Sequence, residues 1–367
     1  MQPYDLTNLV FLVNYQGTVE PCSGAMARTS HHLRTTTGDL MKFDGFRAHL
    51  QGKNITESKI AAALSIVSDF NDYLDKRGKS TENATRDDFY EFSTHLIDNG
   101  MNNQDNYVNL LRFGHFTNNN VLIIATMEIL DGSEMIANFS KRLTEEFGVD
   151  TRNEIFDGIA MPPLGLPPKK KPEILKKLVE RFLMKFDEQT GAEFFAKGLR
   201  DKYTDWYESA RKSFLQLENI DAYLDYKHQK MVRTLEQHLQ EKTLFFTQAV
   251  DEQVIEHVKN DRTIEAGIRQ GNTVMITKIP YMTSEYLNAK DERKKKYYFC
   301  HNPWIREALL DEDQPVPPVF CNCSGGYYKD FWEGVLKQPV RVELLESVIA
   351  GNETCKFALH LPEEEKA

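Results

Sequence analysis

Phe320–Leu361 reads FCNCSGGYYKDFWEGVLKQPVRVELLESVIAGNETCKFALHL, and this stretch decides the fold. Ser324-Gly325-Gly326 reads as a turn, because paired glycines accept backbone angles closed to other residues. Tyr327, Phe331 and Trp332 follow at helical spacing, so a helix with an inward face is expected up to Leu336. QPVRVELLESVI reads as a strand, AGNE as a turn and TCKFALHL as the last strand. A helix feeding two turn-connected strands points to an α+β domain, an antiparallel sheet with helices on one side.

Upstream of this stretch the same alternation appears. Gly271-Asn272 is a turn signal, and TVMITKIPY after it reads as a strand. KKKYYFC reads as a second strand, ending at Cys300. HNPWIREALL should start a short helix, with Asn302 capping and Pro303 in the first turn. PVPPVF reads as extended. From Glu173 to about Arg269 the pattern is helical, and DAYLDYKHQKMVRTLEQHLQEKTLFFTQAVDEQVIEHVKN forms a long stretch of it. Its apolar face would carry Leu224, Met231, Leu235, Leu239, Phe245, Phe246 and Val250.

GIAMPPLGLPPKKKPE, from Gly158 to Glu173, reads as a boundary. Its prolines exclude helix and ladder hydrogen bonds, and Lys169 to Lys171 read as solvated linker. Before it, Thr56 to Asp131 is helical. In ESKIAAALSIVSDFNDYLDKRG the apolar residues Ile60, Ala63, Leu64, Val67, Phe70 and Leu74 keep helix spacing, and Gly78 ends the element. In TRDDFYEFSTHLIDNG, Thr85 is the N-cap with Asp88 three residues on, and Gly100 closes it. The expected organisation is a weakly patterned segment over 1–50, a helical bundle over 51–150, a Pro-rich linker over 151–172 and an α+β ligand-binding domain over 173–362. His31 and His32 are adjacent, so they point apart on any regular element.

With 367 residues the chain is long enough for two domains. Its charge of −10 argues against a general nucleic-acid binder, which needs excess Lys and Arg to displace counterions from phosphates. No apolar run is long enough to span a membrane, so no membrane partner is expected. MQPYDLTNLVFLV has no basic n-region or small-residue cleavage site, so no signal peptide is expected and cytoplasm is the default. Five cysteines without a secretion signal argue against a disulfide framework.

Four of those cysteines, Cys300, Cys321, Cys323 and Cys355, fall in the last 70 residues, after none between 23 and 299. Four thiolates, or three with His301, satisfy a tetrahedral zinc site, and zinc is the expected cofactor. The C-x-C spacing differs from the usual C-x2-C knuckle and needs the backbone to turn. Three readings stay open: a zinc site, a ligand-facing or reactive thiol group, and inert core cysteines, since free cysteine is a common buried hydrophobe.

The segment YYFCHNPWIREALL…FCNCSGGYYKDFWEGVLKQPVRVELLESVIAGNETCKFALHLP resembles the end of a 4-vinyl-reductase-type small-molecule-binding domain, which has aminothiazoline-carboxylate-hydrolase-like relatives. The matching words are Gly326-Tyr327, Leu336, Pro339-Val340, Glu343, Ser347 and the Gly351-x-x-x-Cys355-x-Phe357 ending. The resemblance implies a zinc held by cysteines at the start of the GY helix, on the penultimate strand and at the start of the last strand, with a carboxylate. Cys321 and Cys355 match two of these positions. Ser347 stands at the third, and neither Glu343 nor Glu346 sits in the carboxylate's register, so Cys300 and Cys323 would complete a non-standard set. Residues ~56–131, through DFNDYLDKRGKS and ENATRDDFYEFSTHLIDNG, resemble the SAM-like core-binding domain of tyrosine recombinases. The catalytic domain of that family has no counterpart here, and the segment is acidic.

These features lead us to expect a sensor-like protein that binds a small apolar or aromatic ligand in a pocket lined by Tyr298, Trp304, Tyr327, Phe331 and Trp332, with a structural zinc and a homo-oligomeric state. One alternative is a hydrolase of a small heterocyclic or amide substrate, working through zinc, Cys300 with His301, or Cys323 with Glu333. Another is an oligomeric scaffold or DNA-associated accessory protein. Walker, G-x-G-x-x-G, H-E-x-x-H and G-x-S-x-G motifs are absent from the sequence.

Overall fold

Helix signals in the first half of the chain translate directly into helices. The computed structural model describes residues 37–201, 204–311 and 315–362, with backbone alone for 37–41 and 204–206. Cys22, His31 and His32 lie outside the described residues. The described residues divide into two compact units, one ending at Met127 and the other beginning at Glu128.

The first unit is helical: α1 (Thr37–Gly52), α2 (Glu57–Asp75), α3 (Arg86–Asp98), α4 (Gln104–Phe116) and most of α5 (Asn120–Leu130). Thr85 and Asp88 close the expected capping box at the start of α3, and Lys79 Nζ reaches Asp88 at 2.7 Å. Gly78 and Gly100, with φ of +69° and +65°, follow α2 and α3 as C-terminal stops. Ile60, Val67, Phe70 and Leu74 of α2 and Phe89, Phe92 and Leu96 of α3 are buried, and the Phe70 ring meets those of Phe89 and Phe92 at 5.7 and 4.9 Å. The Ser93 and Tyr107 hydroxyls pair at 2.7 Å, which keeps two buried polar groups satisfied.

The second unit is α+β, as the helix and strand patterns predict. It opens with α6 (Met135–Ile155), α7 (Lys171–Lys185) and α8 (Glu188–Phe195). These helices share an aromatic core in which Phe139 meets Phe156, Phe182, Phe194 and Phe195 at 5.4–6.2 Å. That core is why residues 128–150 belong with the second unit and not with the bundle. The proline stretch is not the boundary between units. Pro167 and Pro168 are buried, and of the three lysines Lys169 and Lys170 are exposed while Lys171 is buried.

Next come α9 (Thr204–Phe214) and α10 (Ile220–Glu241). The long helical reading is interrupted here by a two-residue hairpin, β1 (Leu244–Phe245) with β2 (Gln248–Ala249), before α11 (Glu252–Asn260). Phe246 takes φ +58° in the turn, which a continuous helix does not allow. The remaining elements are β3 (Ile268–Gln270), β4 (Thr273–Thr277), α12 (Thr283–Asn288), α13 (Glu292–Phe299), α14 (Asn322–Leu336), β5 (Arg341–Glu346) and β6 (Lys356–His360). The sheet is antiparallel in the order β3-β4-β6-β5. One face carries Val274, Ile276, Val342, Phe357 and Leu359, packed against Tyr328, Phe331, Trp332 and Val335 of α14.

Three local expectations are corrected. KKKYYFC is the helix α13, because Asp291 caps it at the Lys294 amide (2.8 Å), so Cys300 ends a helix and not a strand. PVPPVF closes into a 3₁₀ turn at Pro318–Cys321, and HNPWIREALL gives only a 3₁₀ helix at Arg306–Leu310. Ser324-Gly325-Gly326 is no turn but the first part of α14. The glycines serve close packing: a Cβ on Gly326 would lie 2.3 Å from the Gly198 nitrogen.

Candidate functional site

Cys300, Cys321, Cys323 and Cys355 are gathered in one region of the second unit. Cys300 ends α13, and its amide donates to the Lys296 carbonyl at 3.1 Å. Cys321 closes the 3₁₀ turn and Cys323 stands in the first turn of α14. Cys355 precedes β6, where its carbonyl accepts from the Lys278 amide at 3.0 Å. Cys300, Cys321 and Cys323 are buried in one apolar cluster, and the half-buried Cys355 packs against it.

Two polar neighbours serve these sulfurs. Ser347 donates its hydroxyl to Cys321 Sγ at 3.0 Å, and Asn302 Nδ2 donates to Cys323 Sγ at 3.4 Å. Ser347 is 2% exposed, so the serine at the penultimate-strand position faces the thiols and is not lost to solvent.

Burial keeps all four thiols protonated. It pushes Cys321 well up, with Cys355 and Cys300 adding to the rise. Burial pushes Cys323 up to about 11, against the pull of Arg200 and Lys278. It pushes Cys355 up to about 12, again with Cys300 adding, and it raises Cys300 too. These mutual effects mark the four sulfurs as electrostatic neighbours. A protonated thiol is a poor nucleophile, so the arrangement does not resemble an activated catalytic cysteine.

His301 turns elsewhere. Its Nε2–H donates to the Ile279 carbonyl at 2.6 Å and its ring meets Tyr281 edge-on at 5.3 Å. Burial holds it well below the usual imidazole range. No hydrogen bond joins His301 to Cys300 among the described residues. Cys323 and Glu333 cannot pair either, since ten residues of helix separate them by about 15 Å. Glu333 instead accepts from Lys329 Nζ and from the Val340 amide.

The aromatic residues fall into two clusters. Trp304 and, half-buried, Tyr298 join the thiols' cluster, and Trp304 Nε1 donates to the Gly132 carbonyl at 2.7 Å. Phe331, Trp332 and, half-buried, Tyr327 belong to the layer between α14 and the sheet. Lys278, half-buried, joins the two regions: it acts electrostatically on Cys300, Cys323, Cys355 and His301, and its Nζ lies 5.7 Å from the Tyr327 ring.

Four cysteines match zinc in donor type and number. In the arrangement described, no group of three or more His, Cys, Asp or Glu side chains among the described residues is placed to hold a metal ion. The sulfurs of Cys321 and Cys323 take hydrogen bonds from Ser347 and Asn302.

Sequence reasoning missed several buried charges. Lys171 is 1% exposed and donates to the Glu128 carbonyl at 2.9 Å, and Arg306 Nη2 pairs with Glu128 Oε1 at 2.6 Å. Lys227 is 4% exposed. The signal was spacing: Lys227 lies four residues from both Tyr223 and Met231, and Lys171 four before Leu175, each on its helix's apolar stripe.

Compared with known proteins, the chain matches no family model, no curated protein and no solved structure. No helix among the described residues is long and apolar enough to cross a membrane.

Proposed function

We propose that the unit beginning at Glu128 is a small-molecule-binding, sensor-like module whose C-terminal end is held together by zinc on Cys300, Cys321, Cys323 and Cys355. The observation that carries this reading is the gathering of four thiols from the end of α13, the start of α14 and the lead-in to β6. Those segments are joined by 3₁₀ turns and irregular chain, which supply few ladder hydrogen bonds of their own. Zinc bound there would cross-link them and add its binding free energy to folding. Ser347 and Asn302 would then orient the sulfurs from outside.

The ligand in this reading is small and apolar or aromatic. The aromatic side chains that would meet it are Tyr298 and Trp304 in the thiols' cluster and Tyr327, Phe331 and Trp332 in the layer between α14 and the sheet.

Thermal unfolding tests both halves. Chelator should lower the melting temperature by about 10 °C or more, and added zinc should restore it. A saturating phenolic or similar aromatic ligand should raise it without being consumed. A melting temperature indifferent to chelator, zinc and every aromatic compound tried would contradict the reading.

A further inference from the structure

A second set of polar groups lies inside the same unit, in the layer between α10, α14 and the sheet. Lys227 Nζ donates to the Glu265 carbonyl at 3.1 Å and lies 4.8 Å and 5.1 Å from the ring centroids of Trp332 and Phe331. Its other two N–H groups have no hydrogen-bond acceptor among the described residues. Trp332 is 0% exposed, and its Nε1–H also has no acceptor. Beside them the Glu265 carboxylate accepts from the Ile279 amide at 3.1 Å and from the Tyr328 hydroxyl at 3.2 Å. Glu265 and Tyr328 are 5% and 2% exposed.

Buried donors are almost always paired, so a buried indole N–H without an acceptor, on the ring beside a lysine that makes a single hydrogen bond, calls for one. Charge selects its kind. Lys227 and Glu265 already cancel, and a third charge in this apolar layer would be buried without a partner, which is strongly unfavourable. An uncharged oxygen acceptor fits, and the flat faces of Phe331 and Trp332 favour an unsaturated or aromatic frame around it. We propose that Lys227, Trp332, Tyr328 and Glu265 form an internal site for a small uncharged aldehyde or ketone, with Lys227 as the amine that captures it.

The capture is an imine formation. The Lys227 Nζ lone pair attacks the carbonyl carbon, and the C=O pair moves onto oxygen, which the Trp332 N–H meets as charge develops there. The new C–N bond gives a carbinolamine. Its hydroxyl leaves as water, carrying the second proton lost by nitrogen, and a C=N bond remains. The Tyr328 hydroxyl, bonded to Glu265, carries a proton between nitrogen and oxygen. Burial holds the Lys227 ammonium down to about 8, so free amine is present near neutral pH. This inference rests on the small-molecule reading of the unit and uses none of the thiols.

The test is site-resolved reductive trapping on the full chain at pH 7.5, with benzaldehyde and cyanoborohydride, followed by peptide mass spectrometry. Lys227 should gain the benzyl adduct at least tenfold faster than Lys141, whose side chain is 74% exposed. Tyr328→Phe, checked by its melting curve, should slow Lys227 labelling at least threefold. An unlabelled Lys227, or one slower than Lys141, overturns the inference and makes the lysine a structural group with internal water. The wild-type ratio decides alone where the variant fails to fold. If non-carbonyl aromatics raise the melting temperature while Lys227 stays unlabelled, only this inference falls and the small-molecule reading stands.

Discussion

Gly325 and Gly326 are neighbours in α14, yet alanine should separate them sharply. A Cβ at Gly325 meets Val342 Cγ1 at 3.4 Å, an ordinary contact, whereas at Gly326 it meets the Gly198 nitrogen and Cα at 2.3 and 2.4 Å. Gly325→Ala should be neutral or gain up to about 1 kcal/mol from helix propensity. Gly326→Ala should lose about 3 kcal/mol, because backbone faces backbone and no side chain can swing away. Urea denaturation of the two variants checks this, and equal stabilities would show that the helix does not approach Gly198 so closely. The pair also shows what sequence could and could not supply. Two glycines announce special backbone geometry, but a turn and a close helix contact ask for the same residue. Lys171 and Lys227 teach the converse: their place on apolar stripes was legible, but lysine is so commonly solvated that hydropathy hides it.

At the scale of elements, the helices of the first unit were readable because cap, period and stop signals agreed in each one. Thr85, Asp88 and Gly100 are such a set. The α13 segment failed for lack of that agreement. Eight residues give too little periodicity to tell helix from strand, and the decisive Asp291 cap stood outside the aromatic run. Long-range pairs were not readable at all. Glu128 at the end of α5 and Arg306 in a 3₁₀ turn are 2% and 3% exposed and pair at 2.6 Å, with Arg306 over the Tyr281 ring at 4.1 Å. Removing either partner, by Glu128→Gln or Arg306→Met, should cost about 3–5 kcal/mol, since each leaves a buried charge behind. The double variant Glu128→Leu with Arg306→Met should recover much of that loss in chemical denaturation. Single variants within experimental error of wild type would show the pair to be solvated.

For the whole molecule, the two buried lysines set a pH dependence. Burial holds Lys171 and Lys227 down to about 8 from the ordinary 10.5. Asp131, Glu128, Arg306 and Arg200 face Lys171, and Glu265 faces Lys227. Between pH 8 and 10.5 the unfolded chain therefore binds more protons than the folded one. The lysines' contribution to stability rises with pH through this window and is lost as pH falls through about 8. The thiols act oppositely, since burial raises them above their ordinary 9.0 and stability drains as pH climbs past it. From pH 7.5 to 9 the lysines dominate, so the urea midpoint should rise, and less steeply in Lys171→Met. Parallel profiles for variant and wild type would mean that Lys171 is charged and solvated in the folded chain.

The gathering of four thiols is the feature on which the functional account turns, and metal content tests it most directly. The protein is purified without a metal-affinity tag, and zinc is quantified beside Cys321→Ser and Cys355→Ser. About one zinc per chain, lost in both variants, is the expected result. Zinc-free wild-type protein with all four thiols titratable after denaturation would contradict the account.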